Sequence, residues 1–214
     1  MESGSNPYFT DTIETETELR EVMGEPGGLA LGKQLDRLDH HCRQFVALSP
    51  FVLIGTSSAG GAFDVSPRGD DSGFVLVLDE KTLVIPERPG NRRLDSLLNV
   101  LETGSIGLLF LVPGFEETLR VNGRASVVRD PDVLERTTSH GKRPQVAVAV
   151  EVQECFLHCA KALKRSRLWQ AEGWPERSVM PSLGRMLRDQ GTVPGVSADE
   201  LESGIQESYA RNLY

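Results

Sequence analysis

Two adjacent arginines, Arg92 and Arg93, are the residues in this chain best placed to do chemistry. They follow an apolar strand-like run, Leu83-Val84-Ile85, and a turn that opens at Pro86 and closes at Gly90. They precede Leu94, Leu97, Leu98 and Leu101, which recur at helical spacing. Asn91 stands where a helix cap belongs, so the pattern predicts a helix from Arg92 to about Glu102 with both arginines in its first turn. Cations are disfavoured there, because a helix N-terminus already carries about half a positive charge. An anion between the arginines removes the conflict. The simplest is a phosphate, held by backbone N–H groups and two guanidinium forks. The plain alternative is a solvated helix start with surface arginines.

Three further stretches carry reactive side chains. Asp64-Val65-Ser66-Pro67-Arg68-Gly69-Asp70 ends a predicted strand and adds an arginine at a glycine, where backbone can approach a ligand closely. It also reads as a turn with a surface Arg–Asp pair; its Arg-Gly-Asp tripeptide is set aside as an adhesion signal, for want of a secretion signal. In Leu119-Arg120-Val121-Asn122-Gly123-Arg124-Ala125, alternation puts Arg120, Asn122 and Arg124 on one face, lining a wet pocket or facing solvent. Cys155, His158 and Cys159 invite a zinc reading with His40, His41 and Cys42, but the spacing matches no common zinc pattern. Buried thiols packing as small apolar groups are expected instead. The basic run beyond, with Lys161, Lys164, Arg165 and Arg167, is a solvated loop, an anion-binding loop or a subunit contact, and Trp169 could stack on a flat ligand. No nucleophile–base arrangement, Walker loop or dinucleotide glycine fingerprint is present.

The elements that must position these residues are short and closely spaced. Helices are expected at Glu16–Gly24 and Gln34–Leu48, the second carrying Leu35, Leu38, Cys42, Phe45 and Val46 on one face. Strands are expected at Phe51–Thr56, Ala62–Ser66, Gly73–Leu78 and Thr82–Ile85. After the Arg92 helix come strands Ile106–Val112, Thr118–Val128 and Gln145–Phe156, with a short helix near Pro131–Thr138. Consecutive antiparallel strands with one inserted helix point to a small barrel rather than a doubly wound sheet. The organisation reads as a helical extension over 1–48, a barrel domain over 49–170 and a helical extension over 171–214.

With 214 residues and a charge of 23 − 31 = −8, the chain suits one domain with an acidic surface. That balance disfavours a general nucleic-acid or anionic-membrane binder, so an anion site here is a local basic cluster. No apolar run approaches the roughly 20 residues of a membrane span. The N-terminus lacks the basic flank and apolar stretch of a signal peptide, and three cysteines suit a reducing cytoplasm.

The order of these pieces resembles the pyridoxamine 5′-phosphate oxidase-like family of FMN-binding split barrels. The resemblance lies in the strand ending Ile85-Pro86, then Gly90-Asn91-Arg92-Arg93, a helix, the strand Ile106–Val112, and Leu119-Arg120-Val121-Asn122-Gly123-Arg124-Ala125. It is nearest to a bacterial subgroup with Ser-Pro-Arg-Gly-Asp, Gly-Asn-Arg-Arg and His-Cys-Ala-Lys-Ala motifs. It implies a mainly β, α+β split barrel that binds FMN at a homodimer interface. Arg92 and Arg93 then match the phosphate grip, with Asn91 beside them. Ile85 and Pro86 match backbone beside the flavin, and Val65, Ser66 and Arg68 match the strand along the isoalloxazine ring. Lys161, Lys164 and Trp169 match positions reaching the flavin across the dimer. The C-terminal signatures of true pyridoxamine phosphate oxidases are missing, so vitamin B6 oxidation is not implied. The expected function is a cytoplasmic FMN-dependent oxidoreductase acting on a small molecule. The alternatives are a flavin carrier or sensor, or a haem-binding member with His40, His41, His140 or His158 as ligand.

Overall fold

The computed structural model describes residues 8–191 and 193–214. The chain forms two compact units, which divide between Gln34 and Leu35. The N-terminal unit holds helices α1 (Glu16–Met23) and α2 (Gly28–Gly32). Thr15 and Glu18 exchange side-chain and backbone hydrogen bonds at the start of α1, a capping box that satisfies two orphan donors.

The second unit, Leu35–Tyr214, begins with α3 (His40–Leu48). Strands β1 (Phe51–Ser57), β2 (Phe63–Gly69), β3 (Leu76–Val77) and β4 (Thr82–Pro86) follow, then α4 (Asp95–Thr103). Next come β5 (Ser105–Leu111), β6 (Thr118–Val128), α5 (Pro131–Arg136) and β7 (Ala147–His158). Helices α6 (Lys161–Ser166), α7 (Leu183–Asp189) and α8 (Ala198–Arg211) complete the chain. The seven strands form one antiparallel sheet in the order β2-β1-β5-β6-β7-β4-β3. The architecture is mainly β with helices, a split barrel with helical extensions at both ends.

The helix expected from Gln34 starts later, at His40. Leu35 instead forms an antiparallel bridge with Cys155, and the Asp39 carboxylate caps α3 by accepting from Cys42 N at 2.8 Å. The inner sheet face is built by alternation. Val52 and Ile54 of β1, Leu108 and Phe110 of β5, and Leu119 and Val121 of β6 are buried with Phe45 and Val46 of α3 and Leu97 and Val100 of α4. The core is therefore closed by the helices that precede β1 and β5.

The opposite face of β2, β1 and β5 is differently made. Register lines up Pro67, Leu53, Leu109 and Arg120 in one row, and Val65, Gly55, Gly107 and Asn122 in the next. Val65 is 68% exposed and Phe63 86%. Gly123 sits at a bulge where β6 shifts register against β7. A Cβ there would collide with the backbone of Glu151, so close strand approach requires glycine.

Candidate functional site

The loop between β4 and α4 is the centre of the candidate site. One edge of β4 pairs with β7, which reaches Ile85 through Val148 and Pro86 through Ala147. On its other edge, β3 pairs only with Leu83 and Val84. Ile85 and Pro86 therefore offer backbone on an edge with no strand partner, while their side chains are buried.

The helix beyond begins at Asp95, not at Arg92. Asn91 does not cap it; its Oδ1 accepts from Arg93 N at 3.0 Å, an Asx turn within the loop. Leu94 occupies the N-cap in a left-handed conformation (φ 61°, ψ 18°) with no side-chain hydrogen bond to the helix. Arg92 is also left-handed, at φ 59°. Such conformations cost about 1–2 kcal/mol per non-glycine residue, and surrounding structure must hold them. The arginines thus stand outside the helix rather than in its first turn. The first turn carries Asp95, whose Oδ2 pairs with Arg93 Nε at 2.7 Å and holds the guanidinium pKa up. This corrects the expected electrostatic conflict: a carboxylate, the favoured charge at that end, is already there. The Arg93 side chain is 71% exposed, so the pair is weak. Arg92 is exposed and makes no hydrogen bond or ion pair among the described residues.

Strand β2 brings the second group. Ser66 and Arg68 share one face and Val65 the other, as alternation requires. Ser66 Oγ donates to Asp64, and so does Ser96 Oγ from the first turn of α4. Arg68 Nε donates to Glu87 Oε2 at 2.9 Å, with only 17% and 21% of the two side chains exposed. Its Nη1 donates to the Pro67 carbonyl. Two residues on, Asp70 pairs with Arg88 Nε at 2.7 Å. The Asp70 carboxylate is fully buried and also accepts from Asp71 N, Ser139 Oγ and Tyr214 OH. Desolvation is the largest single influence and pushes its pKa up. The Asp71 N–H, Arg88 and Tyr214 together hold it below the ordinary value. Arg88 Nη2 reaches the Thr137 carbonyl, and its buried Nη1 has no partner among the described residues.

Successive charged positions at the end of β2, Arg68 and Asp70, therefore grip successive residues leaving β4, Glu87 and Arg88. Strand β2 is one edge of the sheet, and β4 beyond Val84 lies along the other. The ion pairs span the split between them.

The remaining expected residues are held elsewhere in this chain. Lys164 pairs with Glu116, which holds its pKa up, and Trp169 Nε1 donates to the Phe115 carbonyl at 2.7 Å. Both contacts lie on the β5–β6 turn, beside a cleft of about 450 Å³ walled by Phe115, Glu117, Leu163, Arg167 and Trp169. Lys161 opens α6 next to it. Among the described residues, no hydrogen bond or ion pair joins Lys161, Lys164 or Trp169 to the Arg68–Arg93 group. Val65 faces away from Ser66 and Arg68, on the outer sheet face.

The cysteines are structural neighbours rather than spread along one strand. Cys42 of α3 and Cys155 of β7 are both buried and their thiols share a hydrogen bond, which with burial pushes the Cys42 thiol up. Cys155 Sγ donates onward to the Arg37 carbonyl at 3.0 Å, and Cys159 is exposed. The His158 ring lies 4.9 Å from that of Phe156.

Glu87, Arg88, Asp64, Ser96, Asp70 and Tyr214 were not singled out as parts of the site from sequence. The charges were visible at strand ends. Their pairing joins residues 18 to 144 positions apart, which no local pattern encodes.

The chain is an antiparallel split barrel with a polar, arginine-bearing strand-to-helix loop. The chain belongs to the pyridoxamine 5′-phosphate oxidase family, whose model matches residues 38–159. Solved structures with a similar course include HupZ of Group A Streptococcus, at 15% identity and TM-score 0.46 over 56% of this chain and 92% of that one. A protein of Clostridium acetobutylicum related to general stress protein 26, of the pyridoxinephosphate oxidase family, shows 16% identity and TM-score 0.43 over 55% and 85%. The FAD binding protein of Mycobacterium smegmatis shows 16% and 0.41 over 58% and 97%. No curated protein matches the chain.

Proposed function

We propose that this chain is an FMN-binding flavoprotein, an oxidoreductase for a small molecule, acting as a cytoplasmic homodimer. One observation carries the reading. The loop before α4 presents Arg92, which has no hydrogen bond or ion pair among the described residues, beside a helix start that no side chain caps, in a backbone conformation that costs energy to hold. Open N–H groups, a helix dipole and an uncommitted guanidinium together suit a phosphate. Arg93 adds to the grip by exchanging its exposed pair with Asp95. Ser66 and the bare backbone edge at Ile85 and Pro86 suit the ring system, which needs polar groups on one side and a flat wall on the other.

When bound, FMN supplies the hydride and electron transfer, and the protein supplies position and electrostatics. That division suits a site with no paired catalytic acid and base. The homodimer is supported by the outer sheet face, where Phe63 and Val65 stand open beside Leu53 and Leu109. In that arrangement Val65, Lys161, Lys164 and Trp169 meet the flavin from the interface side. Buried reduced thiols suit the cytoplasm.

The test is flavin content and affinity. Purified protein should retain or take up FMN, identified by its absorption and by mass after release. The double variant R92A/R93A should bind it roughly a hundredfold more weakly, the loss of two charge-assisted contacts. Unchanged affinity in that variant removes the phosphate assignment, and a Soret band in place of flavin absorbance removes the cofactor.

A further inference from the structure

We infer that Arg68 serves the flavin phosphate indirectly, as a positioning residue working through Glu87, rather than by touching the ring as its place in the family pattern implies. The inference rests on the FMN reading above. Arg68 has two of its three nitrogens engaged: Nε on Glu87 at 2.9 Å and Nη1 on its own strand at Pro67 O. The Arg68–Glu87 pair is about four-fifths buried on both sides. Freeing Arg68 for a ligand would leave the Glu87 carboxylate largely desolvated and without its partner, near the loop that would receive a phosphate. Both effects oppose the exchange. The neighbouring Asp70–Arg88 pair is more buried still, and Arg88 is tied again to Thr137 O.

These two pairs do something that ladder hydrogen bonds cannot do here. Strands β2 and β4 do not pair, so nothing in the sheet fixes the exit of β4 against β2. Glu87 and Arg88 are consecutive and are pinned to Arg68 and Asp70 on one strand end. The chain then has only Pro89, Gly90 and Asn91 before Arg92, which must hold a left-handed conformation without a side-chain partner among the described residues. Pinning the loop at its root is what lets four residues later a strained arginine stay aimed. Arg68 therefore neutralises Glu87 and fixes the loop, and Arg92 meets the anion.

Binding of FMN and of riboflavin, which lacks the phosphate, separates the two roles. Both are titrated by flavin fluorescence against wild-type protein, R68A and E87A. If Arg68 acts through Glu87, each variant loses roughly tenfold or more in FMN affinity while riboflavin binding moves little, so the preference for FMN collapses in both. If Arg68 touches the ring, R68A weakens FMN and riboflavin alike, and E87A leaves FMN binding unchanged or tightens it by removing a negative charge; either result overturns the inference. Should R68A fail to fold, as judged by circular dichroism, E87A alone decides by its FMN-to-riboflavin ratio. A wild-type protein that binds both flavins equally would remove the phosphate site itself and this inference with it. An FMN preference that survives E87A removes only the inference.

Discussion

Asp70 is a buried charge set against a second buried charge, Arg88. Its carboxylate is fully buried, yet three hydrogen-bond donors and one guanidinium contact keep it ionised. Its pKa in the folded protein lies below the ordinary value of 3.8. The stability it contributes is therefore complete above that value and is lost as pH falls through the lower folded-state pKa. Replacing it in D70N leaves Arg88 buried beside a neutral amide and should cost roughly 3 kcal/mol near pH 7. Urea unfolding at several pH values checks this: the gap between wild type and D70N should narrow once pH falls below about 4, and a constant gap would contradict it. Leu94 is strained in the opposite sense, by backbone. In L94G the left-handed N-cap becomes free of its Cβ penalty, and the apoprotein should gain about 1 kcal/mol, read as a rise in melting temperature. Neither property was legible in the sequence. Leu94 reads there as the first apolar position of a helix, and only its φ shows that it stands outside.

The elements were largely legible, and the reasons are local. Strand β1 opens on a continuous apolar run, Phe51-Val52-Leu53-Ile54, bounded by Pro50 and the serine–glycine loop, and its burial alternates in the folded chain. Glycines mark the turns on either side of β2, and proline and glycine mark the turn after β4. What failed was the start of two helices and the length of β3, which covers only Leu76–Val77 of the expected Gly73–Leu78 because Gly73 turns back onto the end of α3 through its N–H to the Ser49 carbonyl. For α3 a tertiary bridge from Leu35 to Cys155 overrides the helical spacing, and Asp39 caps a helix that starts at His40 instead of Gln34. For α4 the Asx turn at Asn91 competes with helix initiation, since an asparagine that caps can equally fold back on the loop. The candidate site inherits that error: the arginines stand in the loop before α4 rather than in its first turn, so their electrostatic setting was misread. Strand β6 offers a sharper check on element scale. G123A should place a methyl group into the Glu151 backbone and cost about 1–3 kcal/mol by forcing β6 and β7 apart. Denaturant midpoints measure it, and a shift of a few tenths would show that the bulge can relax.

On the scale of the whole molecule, the sheet has two unlike faces. One is closed by α3 and α4. The other exposes Val65 and Phe63 beside half-buried Leu53 and Leu109, flanked by Arg120 and Asn122. If two copies pair through it, V65E places a charge in the centre of the contact and should yield monomers in sedimentation at micromolar concentration. Dimers that survive the change would move the interface elsewhere. The three thiols, in turn, amount to a built-in clock for opening. Cys159 is exposed, whereas Cys42 and Cys155 join α3 to β7 within the core. A thiol reagent should meet one group at once and the other two only when that junction parts. The slow phase then reports the rate or the equilibrium of opening, according to whether trapping or reclosing is faster. Flavin binding to the intact barrel should slow it, giving a reading of cofactor engagement that needs neither a substrate nor a colour change.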